Sequence, residues 1–376
     1  MKVIDRPAPG AADVMLAGTV FCDIIFTGLP HPPAPGQEIW SDGMGTSPGG
    51  IANLAVACAR LGLGTSLASC FSSDGYGQWC WEVLREEGVD LSCSRTCPQW
   101  HSPVTVSLAY GGDRAMITHG HDHPVGTDDL VARTEPPRAV IVSLGSGSED
   151  WWAPFLGHGT LVFADVGWDD SERWDPEVLR AIESCHCFMP NAAEAQAYTR
   201  TNTPADAARA LGRHVELAVV TDGARGVTAF EASSGELIHV PALDVTAIDP
   251  TGAGDVFGAA FVAATLRDWP LEHRLRFGAL AAALSVQEFG GSLAAPGWGD
   301  IADWWESVAD ISSAAGPSTT GPSATGPSAR RLQDDYSFLA SALRGVEAKA
   351  PRRAEATIAR HSDVGNRPMK GQHEND

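Results

Sequence analysis

Short apolar stretches and helical apolar patterns alternate along most of this chain. The segment VMLAGTVFCDII, residues 14–25, has the apolar character of a buried strand and its continuation. In IANLAVACARLG, residues 51–62, apolar positions recur at helical spacing, and Gly62 stands where a helix would end. The same alternation continues through TSLASCF, GYGQWCWEVLREEGV, RAVIVSLG, GTLVFADV, PEVLRAIES, CHCFMPN and ELAVVTDG. It predicts an α/β protein with a mostly parallel sheet that helices cover on both faces.

Two stretches interrupt this alternation. Residues 26–48 are rich in proline and glycine, and residues 100–123 have the pattern of a β-hairpin that turns at Gly111–Gly112. We expect the two stretches to form a small β-rich flap at the edge of the sheet. The exposed edge of this flap could pair between two copies of the chain, which predicts a homodimer.

The composition changes near the C-terminus. Residues 1–13 are interpreted as an N-terminal extension and residues 14–311 as the main domain. The repeated Gly-Pro-Ser units of residues 312–329 cannot bury a core, which predicts a disordered linker. In the tail, residues 330–376, residues 332–349 are compatible with one amphipathic helix, and the last 25 or so residues are expected to be disordered. The apolar side of that helix would carry Tyr336, Leu339, Leu343 and Val346.

Charge and length narrow the class of protein. The chain has 376 residues and a formal net charge of −21, which argues against nucleic acid or an anionic membrane as its main partner. No apolar run approaches the roughly 18 residues that indicate a membrane helix, and Asp5 and Pro7 lie where a signal peptide would be apolar. We therefore expect a cytoplasmic protein, whose eight cysteines are reduced thiols.

The segment DPTGAGD, residues 249–255, is the main candidate for chemistry. Backbone N–H groups of Gly252, Ala253 and Gly254 would lie at the start of an apolar helix, where an anion is stabilised. No Lys-Ser/Thr pair follows the last glycine, so the loop is not a Walker A loop. Asp255 has two interpretations: it caps the helix, or it is a general base for an alcohol that attacks a phosphoryl group.

Four motifs resemble a known family when they are taken together. DPTGAGDVFGAAFV resembles the C-terminal signature of the PfkB/ribokinase family of sugar and nucleoside kinases. PGGIANLAVACARLG, residues 48–62, resembles its N-terminal signature, and NAAE and VVTDGARGV, residues 191–194 and 219–227, resemble two further motifs in the family order. The resemblance spans about residues 14–311. It implies a three-layer α/β/α ribokinase-like fold and ATP-dependent phosphorylation of a hydroxyl group on a small carbohydrate.

The resemblance also assigns roles on the phosphate side of the site. It implies that Asp255 is the catalytic base and that Gly252, Ala253 and Gly254 form the anion hole. The residues implied to bind Mg²⁺ and ATP are Asn191, Glu194, Thr221, Gly223 and Gly226. Glu194 would act on Mg²⁺ through water, because Mg²⁺ usually keeps several waters. The alternatives are a helix cap for Asn191 and Glu194 and an ordinary tight turn for the other three.

On the acceptor side the resemblance points to four substrate-binding residues. Asp23 would bind sugar hydroxyls, Gly49 and Gly50 would let the substrate approach the backbone, and Asn53 would face the same site. The alternative for Asn53 is a satisfied amide at a helix start. Asp249 is a candidate ligand for a monovalent cation such as K⁺, as in many relatives, and its alternative is a turn aspartate before Pro250.

The chain also departs from the family pattern. Where ribokinase-like members have an acidic sugar contact after the middle strand, this chain has Gly145, and the lysine between the glycines and the asparagine is absent. Both departures put ribose in doubt, while Asp165 could lie near the site. Three histidines in HGHDH, residues 119–123, could bind metal, although substrate or loop contact is the favoured interpretation. A nucleoside kinase of the same fold and a non-catalytic sugar or nucleotide sensor stay open as alternatives.

Overall fold

The computed structural model describes residues 12–110, 113–144, 150–167, 169, 171–175, 177–314, 329–344, 346, 351 and 353–354. Its strands are β1 Val14–Ala17, β2 Val20–Thr27, β3 Gly43–Gly50, β4 Thr65–Ala68, β5 Cys70–Ser72, β6 Arg95–Cys97, β7 Val104–Tyr110, β8 Asp113–His119, β9 Ala139–Leu144, β10 Leu161–Val166, β11 Cys187–Phe188, β12 Leu217–Thr221, β13 Val227–Glu231 and β14 Glu236–Val240. Its α-helices are α1 Ile51–Arg60, α2 Gly75–Glu86, α3 Thr127–Val131, α4 Glu177–Ala181, α5 Ala192–Thr199, α6 Pro204–Leu211, α7 Ala253–Thr265, α8 Leu271–Ser285, α9 Trp298–Ala314, α10 Ala329–Asp335 and α11 Leu339–Ala342.

The main sheet has eight strands in the order β14-β13-β12-β11-β10-β9-β1-β4. The six strands from β12 to β4 pair in parallel, and β13 and β14 add an antiparallel edge. Alternate residues of a strand enter opposite cores: Val14 and Leu16 of β1 pack on one side, with α1, α7 and α8, and Met15 packs on the other. The predicted α/β fold with a mostly parallel sheet between helices is confirmed.

A second sheet has the order β3-β2-β7-β8. In chain order its first strand is β2, which begins at Val20. The segment 14–25, predicted as one strand and its continuation, is therefore divided between two sheets. Gly18 separates a fully apolar strand of the main sheet from β2, in which buried and half-buried residues are interspersed. That pattern is typical of a strand with only one well-covered face. The flap therefore extends beyond the predicted bounds of residues 26–48, while the predicted turn at Gly111–Gly112 lies outside the described residues.

The tail differs from the prediction. In place of one helix over residues 332–349, α10 and α11 are separated by a turn at Tyr336–Phe338. The turn lets Tyr336 pack on Trp304 while Phe338 packs on Trp269, with ring centroids 5.0 and 5.2 Å apart. A continuous helix would direct residues 336 and 338 to nearly opposite faces.

The predicted linker and disordered end also need correction where the structure describes them. Residues 312–314 continue α9, and Ala329 begins α10, while residues 315–328 lie outside the described part of the chain. Near the C-terminus, Nη2 of Arg353 lies 2.6 Å from Oδ1 of Asp300, so this part of the tail packs on the main domain. All eight cysteines are free. Within the described ranges, no helix has the length and apolar character required to cross a membrane.

Candidate active site

The glycine loop leads directly into α7. Gly252 precedes the helix with a φ of 73°, and among the described side chains none caps this helix end. Asp255 is the third residue of α7, and its Oδ2 accepts a 2.9 Å hydrogen bond from Nδ2 of Asn53 on α1. The helix thus begins two residues earlier than expected, and the capping interpretation of Asp255 is wrong. The N–H of Ala253 donates to the carbonyl of Pro250 at 3.2 Å, so this predicted anion-hole donor is engaged within the turn.

The environment of Asp255 makes it a stronger base than an exposed aspartate. Burial raises the pKa of Asp255 to about 6, and the hydrogen bond from Asn53 opposes that rise. A carboxylate with this pKa is mostly ionised at pH 7 and still accepts a proton readily. The carboxylate also lies next to a helix N-terminus, where partial positive charge favours anions.

A cavity of about 110 Å³ joins three of the predicted motifs. It is lined by Gly254 and Asp255 at the start of α7, by Asn191 and Glu194 at the start of α5, and by Thr221 at the end of β12. These side chains meet because β10, β11 and β12 are parallel neighbours, whose carboxyl ends lie at one edge of the sheet. A larger cavity of about 680 Å³, near Ser66, Arg95 and Arg133, contains none of the predicted site residues.

Asp165 is a third carboxylate in the 110 Å³ cavity, and the sequence indicated it only weakly. Burial raises its pKa well above the ordinary value, and the nearby charges of Glu194 and Asp255 raise it further. The pKa of Glu194 is also raised, again by burial. Buried carboxylates that repel each other favour a cation between them. Asp165 and Glu194 therefore fit a site for a hard divalent cation, which prefers oxygen ligands.

Asn191 and Glu194 form a capping box at the start of α5. Oδ1 of Asn191 accepts from the backbone N–H of Glu194 at 3.0 Å, and Oε2 of Glu194 accepts from the N–H of Asn191 at 2.9 Å. The capping alternative is therefore observed, and it leaves Glu194 at the cavity wall. The cap fixes the orientation of the carboxylate, so its structural role does not exclude a role toward a cation.

The three residues of the predicted ATP segment differ in their surroundings. Thr221 ends β12 and lines the cavity, whereas Gly223 and Gly226 do not line it. Gly226 has a φ of 98°, and a Cβ there would lie 2.2 Å from the carbonyl oxygen of Val240. Its glycine is thus required by the turn itself, as the tight-turn alternative proposed. Gly223 also has a positive φ, but no atom lies within 4 Å of its Cβ position.

On the flap side, protein atoms lie close to the Cβ positions of the two glycines predicted to bind substrate. A Cβ on Gly49 would lie 1.9 Å from Oδ2 of Asp23, and one on Gly50 would lie 2.5 Å from the carbonyl oxygen of Thr19. Packing therefore requires glycine at both positions, and the approach of substrate to this backbone stays a prediction. Burial, helped by the charge of Asp249, raises the pKa of Asp23 to about 7, although the hydrogen bond with Thr105 and the charge of Arg114 oppose the rise.

Asp249 is held in the turn that begins the glycine loop. Its Oδ1 accepts from the N–H and the hydroxyl of Thr251, at 2.9 and 2.5 Å, and its Oδ2 accepts from the N–H of Gly290 at 3.3 Å. The turn-aspartate alternative is observed, and a cation at Asp249 stays a prediction. Nη1 of Arg114, on flap strand β8, lies 3.8 Å from Oδ1 of Asp249. Arg114 was missed in the sequence because no motif distinguishes it within its hairpin.

The flap histidines form an exposed cluster. The rings of His119 and His121 are 5.0 Å apart, and those of His101 and His121 are 5.7 Å apart. Across the described ranges, no group of three or more His, Cys, Asp or Glu side chains has a geometry that could hold a metal ion. The position predicted to replace the acidic sugar contact, Gly145, lies outside the described residues.

Comparison with known proteins identifies the family of the chain. Residues 156–297 match the model of the pfkB family carbohydrate kinases. A cytidine kinase from Thermococcus kodakarensis is 35% identical over 245 residues, which cover 62% of this chain and 85% of the relative. The chain belongs to the pfkB family of carbohydrate kinases. A ribokinase from Haemophilus influenzae is 26% identical over 74% of the chain and 94% of the relative.

Solved structures show the same pfkB-type fold. A ribokinase from Thermotoga maritima matches with a TM-score of 0.64 and 21% identity, over 78% of this chain and 99% of that one. An Arabidopsis thaliana ribokinase solved with ribose and ATP matches with a TM-score of 0.62 and 24% identity, over 76% and 96%. The predicted ribokinase-like fold is thus confirmed, and family membership makes the chain a phosphotransferase with an alcohol acceptor.

Proposed function

We propose that this chain transfers the γ-phosphoryl group of ATP to a hydroxyl group of a small carbohydrate, with Asp255 as the general base. The observation that carries the proposal is the position of Asp255, a half-buried carboxylate with a raised pKa in the first turn of α7. A base at this position removes the acceptor proton beside a helix end that favours the transferring anion.

The N-terminus of α7 would serve as the anion hole. Because Ala253 donates to Pro250, we base this role on the N–H groups of Gly252 and Gly254. Donors fixed by the backbone stabilise developing negative charge without having to reorganise during the reaction. Gly252 supplies the left-handed turn that this arrangement requires, since its φ of 73° is unfavourable for other residues.

The carboxylates of Glu194 and Asp165 would hold Mg²⁺, directly or through water, and Thr221 would contact ATP. When bound, Mg²⁺ neutralises the charge of the transferring phosphates. The support for this site is two carboxylates with raised pKa values at the cavity wall, of which Glu194 is buried and Asp165 is half-buried. An E. coli protein solved as a ribokinase II with ATP and Mg²⁺ shares the fold, with a TM-score of 0.68 and 20% identity. A monovalent cation at Asp249 is part of the same proposal.

Asp23 would bind the acceptor. Its carboxyl group has a pKa of about 7, so near neutral pH it can both donate to and accept from sugar hydroxyls. A nucleoside is the second candidate acceptor, because the Thermococcus kodakarensis relative is a cytidine kinase.

The flap would also form a homodimer contact. Its exposed apolar side chains include Trp40, Met44, Met116 and Ile117, of which Trp40 is 84% exposed. Exposed apolar side chains of this size favour association. The size of the protein in solution, measured by light scattering with Ile117→Lys as the comparison, tests this part of the proposal.

The acceptor panel tests the proposed function. ADP release is measured with Mg·ATP and hexoses, pentoses or nucleosides, one at a time. Turnover with one carbohydrate is the expected result, and turnover with nucleosides alone would select the second candidate. Binding of ATP without turnover on any acceptor would contradict the kinase proposal and favour a sensor.

A further inference from the structure

Asn53 was expected to bind the substrate, yet its side chain contacts the catalytic carboxylate. Its Nδ2 lies 2.9 Å from Oδ2 of Asp255, although the two residues are 202 positions apart in the chain. The contact arises because α1 packs against α7. Asn53 is only 6% exposed, so water does not compete strongly for this hydrogen bond.

Two glycines enclose the amide of Asn53. A Cβ on Gly252 would lie 3.2 Å from its Nδ2, and a Cβ on Gly291 would lie 2.9 Å from its Oδ1. Gly291 belongs to a segment that is itself fixed, since the hydroxyl of Ser47 donates to the carbonyl of Gly290 at 2.5 Å. The amide therefore lies between two backbone segments, and there is little room for a side chain at either glycine.

The orientation of the amide is set by the carboxylate. Oδ1 of Asn53 is buried and has no hydrogen-bond partner among the described residues, so the contact with Asp255 is the one that selects which end of the amide faces α7. An ionised carboxylate only accepts hydrogen bonds, so the N–H end of the amide must face it. This arrangement favours the ionised form of Asp255, which a general base must have before the reaction.

We propose that Asn53 is a positioning residue for proton transfer: it holds Oδ2 of Asp255, so that Oδ1 of the same carboxylate receives the proton of the acceptor hydroxyl. This inference rests on the proposed function. In the step, the hydroxyl oxygen forms a bond to the γ-phosphorus, its proton moves to Oδ1 of Asp255, and the bond from the γ-phosphorus to the bridging oxygen breaks, which leaves ADP. Asn53 keeps its hydrogen bond to Oδ2 and exchanges no proton.

The pH profile of kcat distinguishes this role from a structural one. In Asn53→Leu the stabilising donor is lost, so the pKa of Asp255 rises and the acid limb of the profile moves to higher pH, by about one unit. At pH 7 the smaller ionised fraction should lower kcat about twofold, and the loss of a fixed Oδ2 should bring the total fall to about tenfold, with a smaller change in KM for ATP. Asn53→Asp should move the limb in the same direction, because it adds a like charge beside Asp255.

Two further variants keep the test decisive if Asn53→Leu folds poorly. Gly291→Ala would crowd the amide without changing Asn53, because the new Cβ would lie 2.9 Å from Oδ1, and a displaced amide should also move the acid limb to higher pH. Thr160→Val is the matched control: Thr160 is 8% exposed, and its hydroxyl donates to the carbonyl of Pro137 at 2.7 Å, in a part of the fold that the site does not use. The limb should not move in this control.

The outcomes separate this inference from the proposed function. If the wild-type enzyme turns over an acceptor and the acid limb does not move in Asn53→Leu and Gly291→Ala, the positioning role is wrong. The proposed kinase activity is then unaffected. If the wild-type enzyme turns over no acceptor, the proposed function fails first. A loss of acceptor affinity in Asn53→Leu, with kcat and the acid limb of its pH profile unchanged, would contradict the positioning role and indicate that Asn53 binds the substrate.

Discussion

The two carboxylates proposed to act on the acceptor, Asp255 and Asp23, lie in regions of very different construction. Asp255 is on α7, whose residues Val256–Thr265 are all buried between the main sheet and the neighbouring helices. Asp23 is on flap strand β2, in a four-stranded sheet that exposes Met116 and Ile117. The helix that carries Asp255 is thus closely packed, whereas the flap has a partly exposed surface. In the proposed function, the closely packed region around Asp255 carries the reaction chemistry and the flap contributes to the choice of acceptor.

The tail packs on the helices of the main domain, and truncation of its Tyr336 side chain gives the largest expected effect. Tyr336 is 2% exposed, and Tyr336→Ala should lower the free energy of unfolding by about 3–5 kcal/mol, because it leaves a cavity beside Trp304. The matched flap variant Met116→Ala removes a side chain that is 56% exposed and should change it by less than about 0.5 kcal/mol. Urea denaturation measures both. Equal effects would mean that the tail does not support the core.

Two glycines with similar backbone angles sharpen the comparison. Gly252 has a φ of 73° and Gly36, between β2 and β3, has a φ of 77°, but only the Cβ of Gly252→Ala would approach Asn53. Gly252→Ala should lower kcat about 100-fold, since it displaces the helix end proposed to bind the transferring group. Gly36→Ala strains the chain similarly in open space and should leave kcat unchanged. A comparable loss in both variants would indicate that general strain, not the anion hole, sets the rate.

The smallest effect concerns stability and pH in the flap. Because the pKa of Asp23 is raised to about 7, the folded state retains a proton that the unfolded chain releases near pH 4. The stability of the wild-type protein should therefore fall as pH rises from about 4 to about 7. Asp23→Asn cannot ionise, so its Tm should exceed that of the wild type by about 2 °C at pH 8 and match it near pH 4.

Exposed Glu38, in the loop between β2 and β3, provides the control for this measurement. Glu38→Gln should leave Tm unchanged at both pH values, because the side chain is exposed to solvent in the folded protein. A Tm of Asp23→Asn that equals the wild type at pH 8 would show that burial does not penalise the charge of Asp23.

Much of the fold could be predicted from local patterns. The strand and helix order follows from periodicity, and the glycine loop before an apolar helix predicted the start of α7 to within two residues. The separation of β1 from β2 at Gly18 could not be predicted, since both strands are apolar and their sheets differ only through long-range pairing. The turn at Tyr336–Phe338 likewise depends on Trp304 and Trp269, which local propensity does not include.

Site residues could be predicted where a local motif defines their position at the start of a helix. Asp255 and Glu194 each lie in the first turn of a helix, in a position that their motifs define. The contacts of Asn53 with Asp255 and of Arg114 with Asp249 join segments that are distant in the chain, so no spacing rule indicates them. Asp165 was weakly indicated for the same reason: its environment is created by the carboxyl ends of neighbouring strands.

The most direct test of the central claim is turnover of Asp255→Asn, with ATP binding measured on the same sample. Asparagine keeps the size of the side chain but cannot accept the acceptor proton as a carboxylate does. We expect ATP to bind with nearly the wild-type affinity, while kcat falls by about 10²–10⁴-fold. Turnover close to that of the wild type, with ATP bound, would contradict the assignment of Asp255 as the general base.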